Sequence, residues 1–274
     1  MPAVALSIAG SDPSGGAGIQ ADLKTFHQFG VYGQAAITLL TVQNTQQVSR
    51  VEILPADLVV QQIEAVIADI PPGAAKTGAL GSLETVEAIA ELARSFRFPL
   101  VVDPVLVSKH GARLLSPGAE EVLKTKLLPC AYLVTPNIPE AELLTGISIR
   151  SESDMFDAAE RLRQLGCGAV LVKGGHLAGD AVDVLNAPGL PKRFSTQRVP
   201  TRHTHGTGCS YSAAITAGLA LGHALHEAVR LAKQFIQSAI ESAPELGAGQ
   251  GPLNHFARVS ELPPPVRYKK NDAR

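Results

Sequence analysis

Short apolar runs alternate along this chain with stretches whose apolar residues recur every three or four positions. Continuous runs bounded by Gly, Pro or Asp read as buried strands, and the three-to-four spacing reads as helix. Val4 to Ala9 is the first such strand, and Gly10 to Gly18 must be a loop. Ile19 to Phe29 has apolar residues at 19, 23, 26 and 29, with Gly30 as a stop. Gln34 to Val42 reads as a second buried strand and Val51 to Leu54 as a shorter third. Pro55 to Ile70 is helical, and Ala74 to Thr77 is a strand before Gly78. Ser82 to Phe96 is a helix with Ser82 as its N-cap. Leu100 to Asp103 is a strand halted by Pro104, and Ser116-Pro117 opens a helix that ends before Pro129. Ala131 to Thr135 is a strand, Ser151 to Asp154 forms a capping box, and Gly166 ends that helix. Ala169 to Lys173 is a strand ending in Gly174-Gly175, with more exposed strands at Ala181 to Leu185 and Arg193 to Val199. Two helices follow, at roughly 209 to 222 and 224 to 242.

Strands that are apolar throughout, separated by helices, predict an α/β fold: a mainly parallel central sheet with helices on both faces. Ligands in such folds sit beyond the carboxyl ends of the strands. Asp12, Gln43, Gly78, Asp103, Asn137, Lys173 and Gly206 all fall at or just past those ends. No internal repeat or linker divides the chain, so residues 1–258 read as one domain. Residues 259–274, with Pro263-Pro264-Pro265 and a basic end, read as a loose tail.

Composition narrows the function. The chain has 274 residues, is 45% hydrophobic and carries a formal charge of −1, so it buries a full core. A near-neutral charge gives no footprint for nucleic acid or an anionic membrane. Trp is absent and aromatics are 4%, which argues against base stacking along a strand. Cys130, Cys167 and Cys209 are far apart and odd in number, which fits a reducing, cytoplasmic setting. The N-terminal apolar run lacks a basic flank and breaks at Gly10-Ser11-Asp12-Pro13, so neither a signal peptide nor a span is expected.

The candidate chemistry centres on Gly206-Thr207-Gly208-Cys209, just ahead of the small-residue helix Ser210 to Leu221. Glycines admit positive φ, and a helix start offers unpaired N–H groups and a positive dipole end. Together they suit an anion, most simply a phosphate. A thiol there, Cys209, is expected to have a lowered pKa and to serve as base or nucleophile; an ordinary glycine turn with a buried Cys accounts for the same residues. Gly10 to Gly18 matches neither the dinucleotide fingerprint nor a P-loop, yet its backbone can approach a small ligand. Asp22, in the helix that follows, could point back at that ligand or serve as an early-turn acid. Gln43 both donates and accepts, which suits a heterocycle with an amine beside a ring nitrogen. Asp103 and Glu140, with the Asn137 amide, suit Mg²⁺ bound mostly by water and phosphate; Glu140 also reads as an ordinary helix N-terminal acid. Lys173 could balance phosphate charge. His176, His203 and His205 raise a zinc site, which ranks low because no further ligand stands at a suitable spacing.

In this order, several segments resemble the hydroxymethylpyrimidine/phosphomethylpyrimidine kinases of the ribokinase-like superfamily. They are residues 9 to 22, Gln43-Asn44-Thr45, Lys76-Thr77-Gly78, Asp103-Pro104-Val105, Thr135-Pro136-Asn137 with Glu140, Lys173-Gly174-Gly175-His176, Thr204 to Cys209, and Gly251-Pro252 with Asn254-His255-Phe256. The resemblance spans Leu6 to about Phe256. It implies ATP- and Mg²⁺-dependent phosphorylation of 4-amino-5-hydroxymethyl-2-methylpyrimidine and then of its monophosphate. By the same resemblance Gln43, Asp22 and the Ala17 backbone bind the pyrimidine. Gly206, Thr207, Gly208 and Cys209 form the anion hole, and Asn137, Lys173 and Thr207 lie along the nucleotide. Asp103 and Glu140 work through Mg²⁺ and its waters. A homodimer is expected by analogy. Cys209 stands where sugar and pyridoxal kinases of the superfamily usually carry aspartate. Two departures are Ala79 in place of a frequent methionine and Ser210-Tyr211 in place of a Thr-hydrophobic pair. The competing readings are a pyridoxal kinase on the same fold, a non-catalytic small-molecule binding protein and a zinc hydrolase.

Overall fold

A computed structural model describes residues 2–106, 114–189, 191–259 and 261. Residues 262–274 of the expected tail lie outside the described residues, but the tail's start is anchored. Val259 is buried, and Glu261 accepts from Arg230.

The strands are β1 (Val4–Ser11), β2 (Tyr32–Gln43), β3 (Val48–Ile53), β4 (Ala74–Thr77), β5 (Leu100–Val102), β6 (Leu133–Val134), β7 (Val170–Lys173), β8 (Ala181–Asn186) and β9 (Lys192–Thr196). Among the described residues they form one sheet in the order β3-β2-β1-β4-β5-β6-β7-β8-β9. From β2 to β7 all neighbours are parallel; β3, β8 and β9 are antiparallel additions at the two edges. The expected fold class is therefore what the chain adopts.

Helices α1 (Gly18–Gln28), α7 (Thr207–Ala220) and α8 (Leu225–Glu241) cover one face of the sheet, with Phe26, Ile215 and Phe235 in the core. The other face carries α2 (Ala56–Asp69), α3 (Leu83–Ala93), α4 (Ala119–Val122), α5 (Ile138–Thr145) and α6 (Glu152–Arg163). Ile63, Ile89, Ile138 and Met155 pack beneath them. The chain leaves β1 through α1 toward β2 on one side and returns through α2 to β4 on the other. This reversal opens a crevice at the carboxyl ends of β1 and β4, where a ligand fits without displacing a helix.

Local chemistry sets the element ends. Ser82 caps α3 by accepting from the Thr85 N–H at 3.1 Å, and Ser151 with Asp154 closes a capping box on α6. Four elements differ from the sequence expectation. Strand β8, expected to be more exposed, is buried from Val182 to Leu185. The helix after Ser116-Pro117 starts at Ala119 and widens into a π turn at Leu123–Leu127. It closes as a 3₁₀ turn that contains Pro129 near its start, where a missing N–H is tolerated. The end of β2 is not buried: Leu40 and Val42 are exposed, because β2 and β3 extend beyond the covering helices. Helix α5 has no range in the sequence reading, which offers only Glu140 as a helix N-terminal acid. Asn137 is its N-cap, with a proline in the first turn, and Gly146 ends it in the left-handed conformation. No described helix is long and apolar enough to cross a membrane.

Candidate active site

The loop after β1 folds around Asp12, which is 1% exposed. One carboxylate oxygen accepts from the Ser14 N–H at 2.8 Å and the Ser14 hydroxyl at 2.7 Å. The other accepts from the Ala17 N–H at 2.8 Å and lies 2.9 Å from His205 Nε2. Burial works against the charged carboxylate, but the His205 and Ser14 hydrogen bonds outweigh it and leave Asp12 below its ordinary value. Asp12 thus ties the glycine loop to the segment that leads into α7.

That segment ends at Gly206, whose φ of +78° admits glycine most readily. A Cβ there would strike the Gly16 carbonyl, so the two loops touch backbone to backbone. Thr207 begins α7 and anchors it by donating its hydroxyl to the Thr204 carbonyl at 2.8 Å. Gly208 and Cys209 follow in the first turn, on the cavity wall. The start of α7 therefore presents its dipole and N–H groups to the cavity.

Across the cavity, β5 delivers Asp103 and β7 delivers Lys173. The Lys173 ammonium lies 2.9 Å from Asp103 Oδ1. Thr135 donates to the same oxygen at 3.3 Å, and Ser212 on α7 donates to the other at 3.2 Å. Burial disfavours the Lys173 cation, yet Asp103 and Glu140 outweigh it and raise its pKa, so it stays charged. Just beyond Asp103, Val105 has φ +42°, a strained conformation for a β-branched residue, where the chain turns along the cavity wall. Asn137 and Glu140 cap α5 reciprocally: Asn137 Oδ1 accepts from the Glu140 N–H at 2.9 Å, and Glu140 Oε2 accepts from the Asn137 N–H at 2.9 Å. Burial lifts the Glu140 carboxyl to about 7, with Lys173 opposing and Asp103 adding to the rise.

These groups line one cavity of about 780 Å³. Ala17, Gln43, Asp103, Asn137, Glu140 and Lys173 all reach its wall, together with Gly206 to Cys209. Ala79 lies there too. Asp22 does not, so the expectation that it touches the pyrimidine is corrected. Asp22 is fully buried behind the wall. One of its oxygens accepts from Ser7 at 2.5 Å and the other from Lys76 at 2.7 Å. The expected low thiol pKa is corrected as well. Cys209 is half-buried, and desolvation raises its thiol to about 11, outweighing the Lys76 charge and the Gly18 N–H. The resting thiol is therefore neutral. Among the described residues no group of three His, Cys, Asp or Glu side chains suits a metal ion, which removes the zinc reading's ligand set. His205 is instead taken by Asp12.

Lys76, Asp12 and Ser212 belong to this constellation although sequence reasoning gave them no catalytic or binding role, and His205, weighed there only as a zinc ligand, joins it through Asp12. Asp12 had a signal, its place at a strand end. Lys76 had only its place in the Lys76-Thr77-Gly78 segment of the resemblance, which assigned it no function.

Comparison with known proteins follows the same outline. Residues 12–254 match the family model for phosphomethylpyrimidine kinase. The chain is 49% identical over 262 residues to the hydroxymethylpyrimidine/phosphomethylpyrimidine kinase of Rhizobium meliloti, covering 94% of this chain and 98% of that one. It is 51% identical over 259 residues to the thiamine biosynthesis bifunctional protein ThiED of Geobacter sulfurreducens. That match covers 94% of this chain but spans only 53% of the relative's length. The crystal structure of an ADP complex of Bacillus subtilis pyridoxal kinase superposes with a TM-score of 0.86 at 36% identity, covering 94% of this chain and 98% of that one. A family match over nearly the whole chain, with a cavity ringed by the glycine loop, the α7 start and the Lys173–Asp103 pair, leaves one conclusion: the chain belongs to the phosphomethylpyrimidine kinase family.

Proposed function

We propose that this chain transfers the γ-phosphoryl group of ATP to the hydroxymethyl oxygen of 4-amino-5-hydroxymethyl-2-methylpyrimidine, and then phosphorylates the monophosphate to the diphosphate. One observation carries it: the start of α7, with Gly208 and Cys209, faces the same cavity as the buried Lys173–Asp103 pair. A helix N-terminus stabilises the transferring phosphoryl group from one side, and a cation fixed by a carboxylate does so from the other. Phosphoryl transfer needs little covalent work from a protein, so positioning and charge supply the acceleration. Gln43, on the cavity wall, reads the amine and ring nitrogen of the pyrimidine, with the Ala17 backbone beside it. Asn137, Lys173 and Thr207 follow the nucleotide. The Cys209 thiolate accepts the hydroxymethyl proton and becomes the thiol as the phosphoryl group moves; with the thiol at about 11 only a small fraction of the enzyme holds that thiolate at rest, and the backbone donors carry most of the stabilisation.

The residues present fit Mg²⁺ held chiefly by water and phosphate. Asp103 and Glu140 stand together against the single Lys173 ammonium, and Asp103 adds to the rise of the Glu140 carboxyl that burial chiefly causes. When bound, the ion supplies charge neutralisation to the phosphate chain. A homodimer and a cytoplasmic setting complete the proposal, the first by analogy with the family and the second from cysteine usage.

Replacing Cys209 with Ala tests the site. Turnover is expected to fall about 10²-fold with the pyrimidine KM nearly unchanged. A large rise in KM with turnover intact contradicts the assigned role.

A further inference from the structure

A chain of buried polar groups runs beneath the first turn of α7, behind the cavity wall. Lys76 on β4 is fully buried. Its ammonium lies 2.7 Å from Asp22 Oδ1 on α1, and the Ser7 hydroxyl on β1 donates to Asp22 Oδ2 at 2.5 Å. On its other side Lys76 donates to the Cys209 carbonyl oxygen at 3.4 Å, and the Ser212 hydroxyl oxygen lies 3.0 Å from the same oxygen, its one proton shared between that carbonyl and Asp103. Four elements, β1, α1, β4 and α7, are thereby joined at one point directly under the anion hole.

Stability does not account for this arrangement. Desolvating two charges costs about what their attraction returns, and an apolar pair of similar volume serves a core as well. Location offers the better account. A cation one residue's depth behind the start of α7 adds to the helix dipole, in a dry interior where its field is weakly screened. The other charged groups around this turn are Asp103 from β5 and Lys173 from β7, which pair with each other. Asp183 and Lys233 also pair with each other, farther along at Tyr211. Lys173 approaches the turn from the cavity side, where a Cβ on Gly208 would lie 3.3 Å from its ammonium, whereas Lys76 approaches from behind and donates to the Cys209 carbonyl. The surrounding charges agree: against the burial of Lys76, Asp22 first and Asp103 beyond it keep it charged.

We propose that Lys76, held by Asp22 and Ser7, is a positioning residue for phosphoryl transfer: it fixes the first turn of α7 through the Cys209 carbonyl and sets a buried positive charge beneath the anion hole. The role rests on α7's start being the seat of transfer. Asp22 acts through Lys76 and never meets the pyrimidine.

The test is the double variant Lys76→Met/Asp22→Asn, which removes the ion pair without leaving a lone buried charge. Wild type, Cys209→Ala and Ser7→Ala are measured beside it. The readouts are kcat and KM for the pyrimidine alcohol, the melting temperature, and the rate of Cys209 alkylation by iodoacetamide, followed on its peptide by mass spectrometry. In the folded double variant kcat is expected to fall on the order of 10²-fold, KM to stay within about threefold, and alkylation at neutral pH to change by less than about threefold, because Lys76 and Asp22 act on the thiol in opposite directions. A folded double variant whose kcat stays within about twofold of wild type overturns the role. If the double variant does not fold, Ser7→Ala decides, because it loosens Asp22 while keeping both charges. A kcat lowered about threefold to tenfold at constant KM supports the role, and an unchanged kcat overturns it. If Cys209→Ala and Gly206→Ala also leave turnover intact, the seat of transfer itself is wrong. If those two lose turnover while the Lys76 and Ser7 variants keep it, only the role of Lys76 falls.

Discussion

Gly206→Ala probes the joint between the glycine loop and α7. Two costs add. Gly206 has φ +78°, where an alanine is disfavoured by roughly 1–2 kcal/mol. The new methyl would also lie 2.8 Å from the Gly16 carbonyl carbon and 3.2 Å from Ala17 Cα, and closer still to the Gly16 oxygen. These are backbone atoms, and they cannot swing aside. Asp12 pins that loop through the Ala17 N–H at 2.8 Å and through His205 at 2.9 Å. Relief therefore requires the two loops to part by roughly 1 Å, which separates the pyrimidine-side backbone from the phosphoryl-side helix start. A displacement of that size at reacting groups costs about 10² in rate. Turnover in a coupled ATP-consumption assay is expected to fall by about that factor, with the melting temperature lowered by about 5–10 °C. Gly222→Ala is the control. Its φ is +86°, but nothing lies within 4 Å of the added methyl, so only the backbone cost applies. Its melting temperature should fall by about 2–4 °C and its kcat should hold. A Gly206→Ala enzyme that turns over and melts like Gly222→Ala refutes the backbone-to-backbone joint.

Two further outcomes follow from the charge arrangement. Glu140 holds its proton in the folded chain up to about 7, against 4.5 unfolded. The native state thus binds more protons between those values, and stability should fall across that window, by on the order of 3 kcal/mol from this group, and level off above it. Glu140→Gln keeps the capping geometry and should flatten this slope in denaturant melts of the nucleotide-free protein; an unchanged slope assigns the titration elsewhere. Lys173→Met strands Asp103 among hydroxyl partners, so denaturant melts should show a loss of about 3 kcal/mol and turnover a loss of at least about 10². A stable, active Lys173→Met enzyme contradicts the electrostatic role.

The sheet, its order of elements and the strand-end site were legible because apolar runs and glycine punctuation act locally. Gln43, Asp103, Asn137, Lys173 and Gly206 reach one cavity as the strand-end rule requires. What escaped depends on direction and depth. Asp22 lies three residues from Ile19 and four from Phe26, hence on the buried face of α1; only the packing of β1 and β4 against it reveals Ser7 and Lys76 as its partners. Lys76 sits in a strand covered on both faces, where alternation gives no inward or outward sign. Asn137-x-x-Glu140 is both a capping box and a pair of site residues; Glu140 also reads as a helix N-terminal acid, but the eight residues of α5 are too few for apolar spacing to mark the helix itself. For Cys209 the helix start was readable, but desolvation, which the sequence does not encode locally, dominates its thiol.

The most direct measurement is ATP consumption by the purified protein with Mg²⁺, offered the hydroxymethylpyrimidine, its monophosphate and pyridoxal side by side. Turnover on both pyrimidines, with little on pyridoxal, is the expected result. Strong preference for pyridoxal, which the small Ala79 on the cavity wall would then explain, contradicts the pyrimidine assignment while keeping the fold and site. No turnover on any of the three contradicts the kinase assignment itself.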